Sequence, residues 1–180
     1  MKLKEGLIYV FCGDGKGKTS AALGTALRML LNGKRVEWIS WYKEESWKSA
    51  EMKMPEVFEN NLKMHWMGEG FCGGPLDKGT LEGHKTAAKK ALGLAREILS
   101  QKESQVNLLV MDEVLRAIGD GLLEVRDVIN IVKIRGKAHL VLTGHSCPEE
   151  IRSMADLVTE MRKIKHPYDK GIMAVSGLDF

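Results

Sequence analysis

Long apolar runs are missing from this chain. The longest stretch without Asp, Glu, Lys or Arg runs only from Ala138 to Pro148, whereas a membrane-spanning helix needs about 20 mostly apolar residues. The basic start, Met1-Lys2-Leu3-Lys4-Glu5, has no apolar segment behind it, so no signal peptide is expected. Cysteine is scarce. Cys12, Cys72 and Cys147 are an odd count with no C-x-x-C pair, which disfavours both a disulfide framework and a zinc site. Each reads as a small buried hydrophobe in a reducing compartment, the cytoplasm. Charge of one sign is lacking as well: 27 Lys+Arg against 24 Asp+Glu leave +3, too mild a balance to signal nucleic-acid binding. Internal repeats, linkers and low-complexity segments are not found. The 180 residues fit one domain, 1–180.

What is present is an alternation of strand and helix patterns. Gly6–Cys12 is a short apolar, β-branched and aromatic run that reads as a buried strand. Thr19–Leu31 then places Ala22, Leu23, Ala26, Leu27 and Leu30 at helical spacing, with Asn32-Gly33 as the stop. Arg35–Trp41 predicts a second strand and Lys63–Met67 a weaker third, separated by a charged stretch, Lys43–Lys53, read as a solvated loop or short helix. Gly68–Gly79 is a long glycine-rich loop, a kind that is often functional.

A helix follows with Ala88, Ala91, Leu92, Ala95, Ile98 and Leu99 on one face. Asn107–Met111 is a buried strand that ends at Asp112-Glu113. Asp120 is expected to cap a helix with Val125, Val128, Ile129 and Val132 inside. His139–Thr143 is another strand, Ser146 through Glu149 has capping-box spacing for a short helix, and Leu157–Met161 is a last strand before a Gly-containing tail. Strands apolar on both faces and alternating with helices predict an α/β fold: a mostly parallel sheet with helices on both faces.

The chemistry concentrates at Gly13-Asp14-Gly15-Lys16-Gly17-Lys18-Thr19-Ser20, between the first strand and the first helix. Glycines let backbone N–H groups wrap phosphate oxygens, and a helix N-terminus adds partial positive charge. Lys18 reaches phosphate as a point charge and the Thr19 hydroxyl can ligate Mg²⁺. The strict phosphate-loop pattern places a glycine where this chain has Cys12; Gly13 and Gly15 remain to provide the turn. Leu108 through Glu113 supplies the second half of such a site, an apolar strand delivering Asp112 and Glu113 to the sheet edge where open α/β sheets bind ligands. Together these segments predict a P-loop NTPase-like (RecA-like) domain that binds Mg²⁺ and ATP or a similar nucleotide. On the residues alone the reading stops at a Mg-nucleotide-dependent enzyme.

The histidines, His65, His84, His139, His145 and His166, show no ligand spacing and predict no intrinsic metal site. His145 stands out only because it follows a strand and Thr143-Gly144 at the ligand edge. Trp38, Trp41, Trp47 and Trp66 read as core more than as ligand-binding residues.

From end to end the chain resembles the P-loop ATP:corrinoid adenosyltransferases, also called cob(I)alamin adenosyltransferases. The resemblance runs through Val10-Phe11-Cys12-Gly13 to Ala22, Gly24-Thr25-Ala26, Met67-Gly68-Glu69-Gly70-Phe71, Met111-Asp112-Glu113 and Leu142-Thr143-Gly144. It closes on Ala155 to Met161 and Lys165-His166-Pro167-Tyr168-Asp169-Lys170-Gly171-Ile172, a tail that ordinary kinases and ATPases lack. The resemblance implies transfer of the 5′-deoxyadenosyl group of ATP to the cobalt(I) of a reduced corrinoid, with triphosphate leaving. It implies Lys16 and Lys18 as phosphate ligands, Thr19 and Glu113 as Mg²⁺ ligands with Asp112 in support, and Phe71 as the aromatic that helps displace the lower axial ligand of cobalt. An electron donor such as a flavoprotein or ferredoxin and a homodimer are implied too; nucleic-acid and membrane partners are not. Three positions depart from the family: Gly73 stands where tryptophan is frequent, Ser40-Trp41-Tyr42-Lys43-Glu44 replaces Gln-Phe-x-Lys-Gly, and His145 replaces arginine. The alternatives are a divergent P-loop ATPase or phosphotransferase acting on another acceptor, which would leave ADP or AMP, and a binding or corrinoid-carrier protein without turnover.

Overall fold

The computed structural model describes residues 5–47, 49–73, 77, 79–101 and 106–180. The first four residues and part of the glycine-rich loop, including Gly74 and Pro75, lie outside that set. Among the described residues the sheet has six strands in the order β3-β2-β4-β5-β1-β6, and every pairing is parallel. The strands are β1 (Ile8–Cys12), β2 (Arg35–Ser40), β3 (Leu62–Trp66), β4 (Val106–Asp112), β5 (His139–Thr143) and β6 (Leu157–Glu160). The helices are α1 (Lys18–Leu31), α2 (Met54–Phe58), α3 (Leu81–Ser100), α4 (Val114–Gly119), α5 (Val125–Lys133) and α6 (Glu149–Arg152).

Strand alternation splits the core into two layers. Leu108 and Val110 of β4 face α1 together with Val36, Trp38 and Val141, against Ala22, Ala26 and Leu30. Leu109 and Met111 point the other way with Ile39, Leu140 and Leu142, onto α3, α4 and α5. Small residues on the inner faces of α1 and α3 (Ala22 and Ala26; Ala88, Ala91 and Ala95) let these helices lie close on the sheet. α3 is begun by Thr80, whose side chain accepts from the Gly83 N–H at 3.1 Å, a cap that contributes about 1 kcal/mol. Among the described residues no helix is long and apolar enough to cross a membrane.

Two capping expectations are corrected. Asp120 does not cap α5; it terminates α4, and its carboxylate is taken by the Tyr42 hydroxyl, which donates at 2.6 Å, and by Arg116. Ser146 does not cap α6 either, because Pro148 occupies the N-cap and no side chain closes the turn. The charged stretch after β2 takes the short-helix alternative and is only partly solvated, with Glu45, Ser46, Ala50 and Lys53 exposed. It folds into a 3-10 turn, Ala50–Lys53, that buries Ser49 and tucks Glu51 against Lys43. The short helices α2 and α4 were not foreseen, being too brief to show periodicity.

Candidate active site

β1 ends at buried Cys12, which continues the sheet opposite Glu160 of β6. That is why the residue here need not be glycine: the chain turns one position later. Gly13 (φ 109°) and Gly17 (φ 117°) take left-handed conformations. Gly15 serves by close approach instead, since a Cβ there would lie 2.8 Å from the Met161 carbonyl oxygen. The loop is held by the Gly13 N–H donating to the His145 carbonyl at 2.8 Å and the Gly15 N–H donating to the Met161 carbonyl at 2.7 Å. Lys18 folds back and donates to the carbonyls of Gly13 and Gly15, both at 2.8 Å. α1 opens at Gly17 without a side-chain cap, so the first-turn N–H groups at Lys18, Thr19 and Ser20 have no intrahelical acceptor. This is the local electrostatics of an anion site.

Opposite stands the end of β4. Asp112 is completely buried and accepts from the Thr143 hydroxyl at 2.8 Å, the Thr19 hydroxyl at 3.2 Å and, on its other oxygen, the Ser40 hydroxyl at 3.4 Å. Burial pushes its carboxyl above the ordinary value, opposed by Lys43 and the hydroxyl donors. Glu113 sits in a left-handed conformation at φ 64°, a strained choice for a non-glycine residue. Its N–H donates to the Thr143 hydroxyl at 2.8 Å. Its Oε2 is buried with no partner among the described residues. Burial and the neighbouring Asp112 charge raise its pKa. An orphaned carboxylate oxygen, a second buried carboxylate and a threonine hydroxyl are a hard oxygen donor set, and that chemistry fits Mg²⁺.

These groups open onto a cavity of about 280 Å³. Lys16, Gly17, Lys18, Thr19 and Ser20 line it with Asp112 and Glu113, and Tyr42 and Phe71 close the far side. Of the residues expected to bind nucleotide, Gly13, Asp14 and Gly15 do not line it. Asp14 turns outward, its carboxylate accepting the Lys163 N–H at 3.2 Å.

The far side is aromatic. Phe71 stacks on Tyr42 (centroids 5.5 Å apart, planes 29° apart) and meets Trp47 at 5.3 Å. The Arg116 guanidinium lies over both rings, 4.5 Å from the Phe71 centroid and 4.9 Å from that of Tyr42. Asp120 anchors Arg116 from behind at 3.4 Å. Phe71 itself stays 43% exposed, a ring held firmly yet available. Trp38 and Trp41 are core, as their sequence context suggested, while Trp47 belongs to this cluster. His145 sits behind the loop, where burial, Arg116 and Lys18 hold its imidazole below the ordinary value.

Sequence reasoning missed Glu51, Arg116 and Asp179; Tyr42 and Lys43 were set apart only as part of the Ser40–Glu44 stretch, without a role of their own. Lys43 and Glu51 form an ion pair on the cavity wall, and Asp179 from the C-terminal tail pairs with Lys16 at its mouth. Tyr42 and Lys43 carried a usable signal, since they directly follow a strand at its carboxyl end. Arg116 and Asp179 carried none, because only the fold brings them here.

Residues 4–180 match the family described as ATP:corrinoid adenosyltransferase BtuR/CobO/CobP. The "Corrinoid adenosyltransferase" of Escherichia coli (strain K12) is 30% identical over 178 residues, covering 98% of this chain and 87% of that protein. The protein of the same name from Pseudomonas aeruginosa is 32% identical over 178 residues, covering 98% of this chain and 85% of its own length. A third, from Sinorhizobium sp, is 30% identical over 179 residues, with 98% and 81% covered.

Proposed function

Since the chain belongs to the ATP:corrinoid adenosyltransferase family and carries out ATP-dependent adenosyl transfer to a corrinoid cobalt centre, we propose that this cavity holds both reactants, triphosphate on the α1 side and corrinoid against Phe71. One observation carries this reading. Phosphate-binding and ring-binding groups face each other across the same cavity.

The mechanism follows from what the reaction must stabilise. Cobalt(I) of the corrinoid attacks C5′ of ATP, and negative charge builds on the bridging oxygen as triphosphate departs. Lys18, Lys16 and the first N–H groups of α1 meet that charge with fixed positive ends, a preorganised arrangement whose members are each worth about 10²–10³ in rate. To reach phosphate, Lys18 exchanges its carbonyl acceptors at Gly13 and Gly15 for phosphate oxygens, and Lys16 leaves Asp179. Thr19, Glu113 and Asp112 are the residues that would hold Mg²⁺, which supplies charge neutralisation on the triphosphate. Asp112 keeps the Thr19 and Thr143 hydroxyls oriented, and the Glu113 backbone is set by Thr143. Phe71, fixed by Tyr42 and Arg116, occupies the space a lower axial ligand of cobalt needs, which eases reduction of cobalt(II). Holding cobalt in line with C5′ provides the proximity contribution.

The same reading makes the chain one P-loop NTPase-like, RecA-like domain over 1–180. It places the protein in the cytoplasm as a homodimer that takes electrons from a flavoprotein or ferredoxin, without nucleic-acid or membrane partners. It is tested anaerobically with Mg-ATP and chemically reduced cob(I)alamin, following the visible spectrum and triphosphate. A light-sensitive alkylcobalamin with stoichiometric triphosphate is expected; ADP accumulating without spectral change would refute it.

A further inference from the structure

The residues just beyond Phe71 carry donors that adenosyl transfer does not use. A Cys72 Sγ, an Asp77 carboxylate oxygen and a His84 ring nitrogen all lie within 4.8 Å of one another. Sequence spacing gave no hint of this, because Cys-x4-Asp-x6-His is not a recurrent ligand pattern and the fold of the loop onto α3 creates it. His84, in the first turn of α3, is 3% exposed, and its Nε2 lies 2.8 Å from Asp77 Oδ1. Asp77 is held from outside as well: the Gly73 N–H donates to Oδ2 at 2.6 Å and the Gly79 N–H to Oδ1 at 2.8 Å. Backbone donors that orient an anionic ligand are the outer support found around metal sites.

We propose that Cys72, Asp77 and His84 form a binding site for a borderline divalent ion, Zn²⁺ foremost, that ties the segment after Phe71 to the start of α3. A hydrogen bond between His84 and Asp77 needs no thiol. The third donor turns the pair into a mixed sulfur, nitrogen and oxygen set. Thiolate and imidazole select Zn²⁺, Co²⁺ or Ni²⁺ over Mg²⁺ and Ca²⁺. Metal–ligand bonds of about 2.0–2.3 Å at tetrahedral angles space donors about 3.3–3.8 Å apart. The His84–Asp77 contact therefore opens slightly and the thiol closes in. On binding, His84 takes the tautomer with its proton on Nδ1, so that Nε2 ligates the ion, and the Cys72 thiol releases its proton to solvent. Three protein ligands leave the fourth tetrahedral position for water. The site does not depend on which acceptor the enzyme uses.

The test uses the full chain, stripped of metal and kept anaerobic, without ATP or corrinoid, titrated with Co²⁺ as the spectroscopic probe. The expected result is a thiolate-to-Co²⁺ charge-transfer band and tetrahedral visible bands that saturate at one equivalent per chain and vanish when Zn²⁺, but not Mg²⁺, is added. Cys72→Ser, at a half-buried position that tolerates an isosteric change, abolishes the charge-transfer band. His84→Gln weakens Co²⁺ binding by about tenfold or more. Absence of the band in the unaltered chain, or its survival in Cys72→Ser with Cys12 and Cys147 as the source, overturns the proposal.

Discussion

The two sides of the cavity are built in different ways. The phosphate side is local and rigid: eight consecutive residues, glycines in conformations other residues resist, and a lysine and the Asp112 carboxylate tied into buried hydrogen bonds. The aromatic side is assembled from three separate segments, with Tyr42 and Trp47 after β2, Phe71 in the glycine-rich loop and Arg116 on α4. It is held by ring contacts and one guanidinium, and it stays partly open. Charge stabilisation demands fixed dipoles. A flat acceptor demands a surface that can admit and release it. The three departures from the family pattern divide between the sides: Tyr42 of Ser40–Glu44 and Gly73 lie on or next to the aromatic side, while Ser40 donates to Asp112 and the His145 carbonyl accepts from the Gly13 N–H on the phosphate side.

The contrast can be broken from the phosphate side first. Lys18→Ala should lower turnover by about 10²–10³-fold with any acceptor, since a buried preorganised cation is lost; triphosphate release measures it. Next, Arg116→Ala should slow adenosylation begun from cobalt(II) by about three- to tenfold, the worth of a partly desolvated cation–π contact. Its ATP affinity should be unchanged, which equilibrium binding of ATP would show. Smaller still is Asp179→Asn. It frees Lys16 from a surface ion pair, and ATP should bind about two- to fivefold more tightly at low salt, with the gain fading as salt is added.

The smallest effect is on pH dependence. Burial, Arg116 and Lys18 lower the His145 pKa from its ordinary 6.5. The folded protein therefore binds this proton less readily than the unfolded chain. Its contribution to stability is complete above 6.5 and is lost as pH falls towards the folded value. Denaturant melts at stepped pH should show that slope flattened in His145→Asn.

The same contrast explains what could be read from the sequence. All six strands and the long helices were legible because apolar alternation and helical spacing are local signals. Asp112 and Glu113 were legible because a strand end names its own location. At Cys12, a departure from the phosphate-loop pattern, β1 runs one residue further and Gly13 takes the turn. Asp120 was misread as a cap since nothing local says that Tyr42 and Arg116 claim its carboxylate. Within the Lys43–Lys53 stretch the sequence could not show that one pair, Lys43 with Glu51, turns inward to the cavity wall. Side chains whose partners lie across the sheet are invisible until the sheet is ordered.

The central claim is that the two sides of one cavity do separate work. It is tested most directly by measuring, for Phe71→Ala and Lys18→Ala, the ratio of adenosylation rates begun from cobalt(II) and from chemically generated cobalt(I). The account predicts that the ratio falls about tenfold in Phe71→Ala, in line with the loss of a stacked aromatic ring, and stays at the unaltered protein's value in Lys18→Ala. Equal ratios in both variants would contradict it.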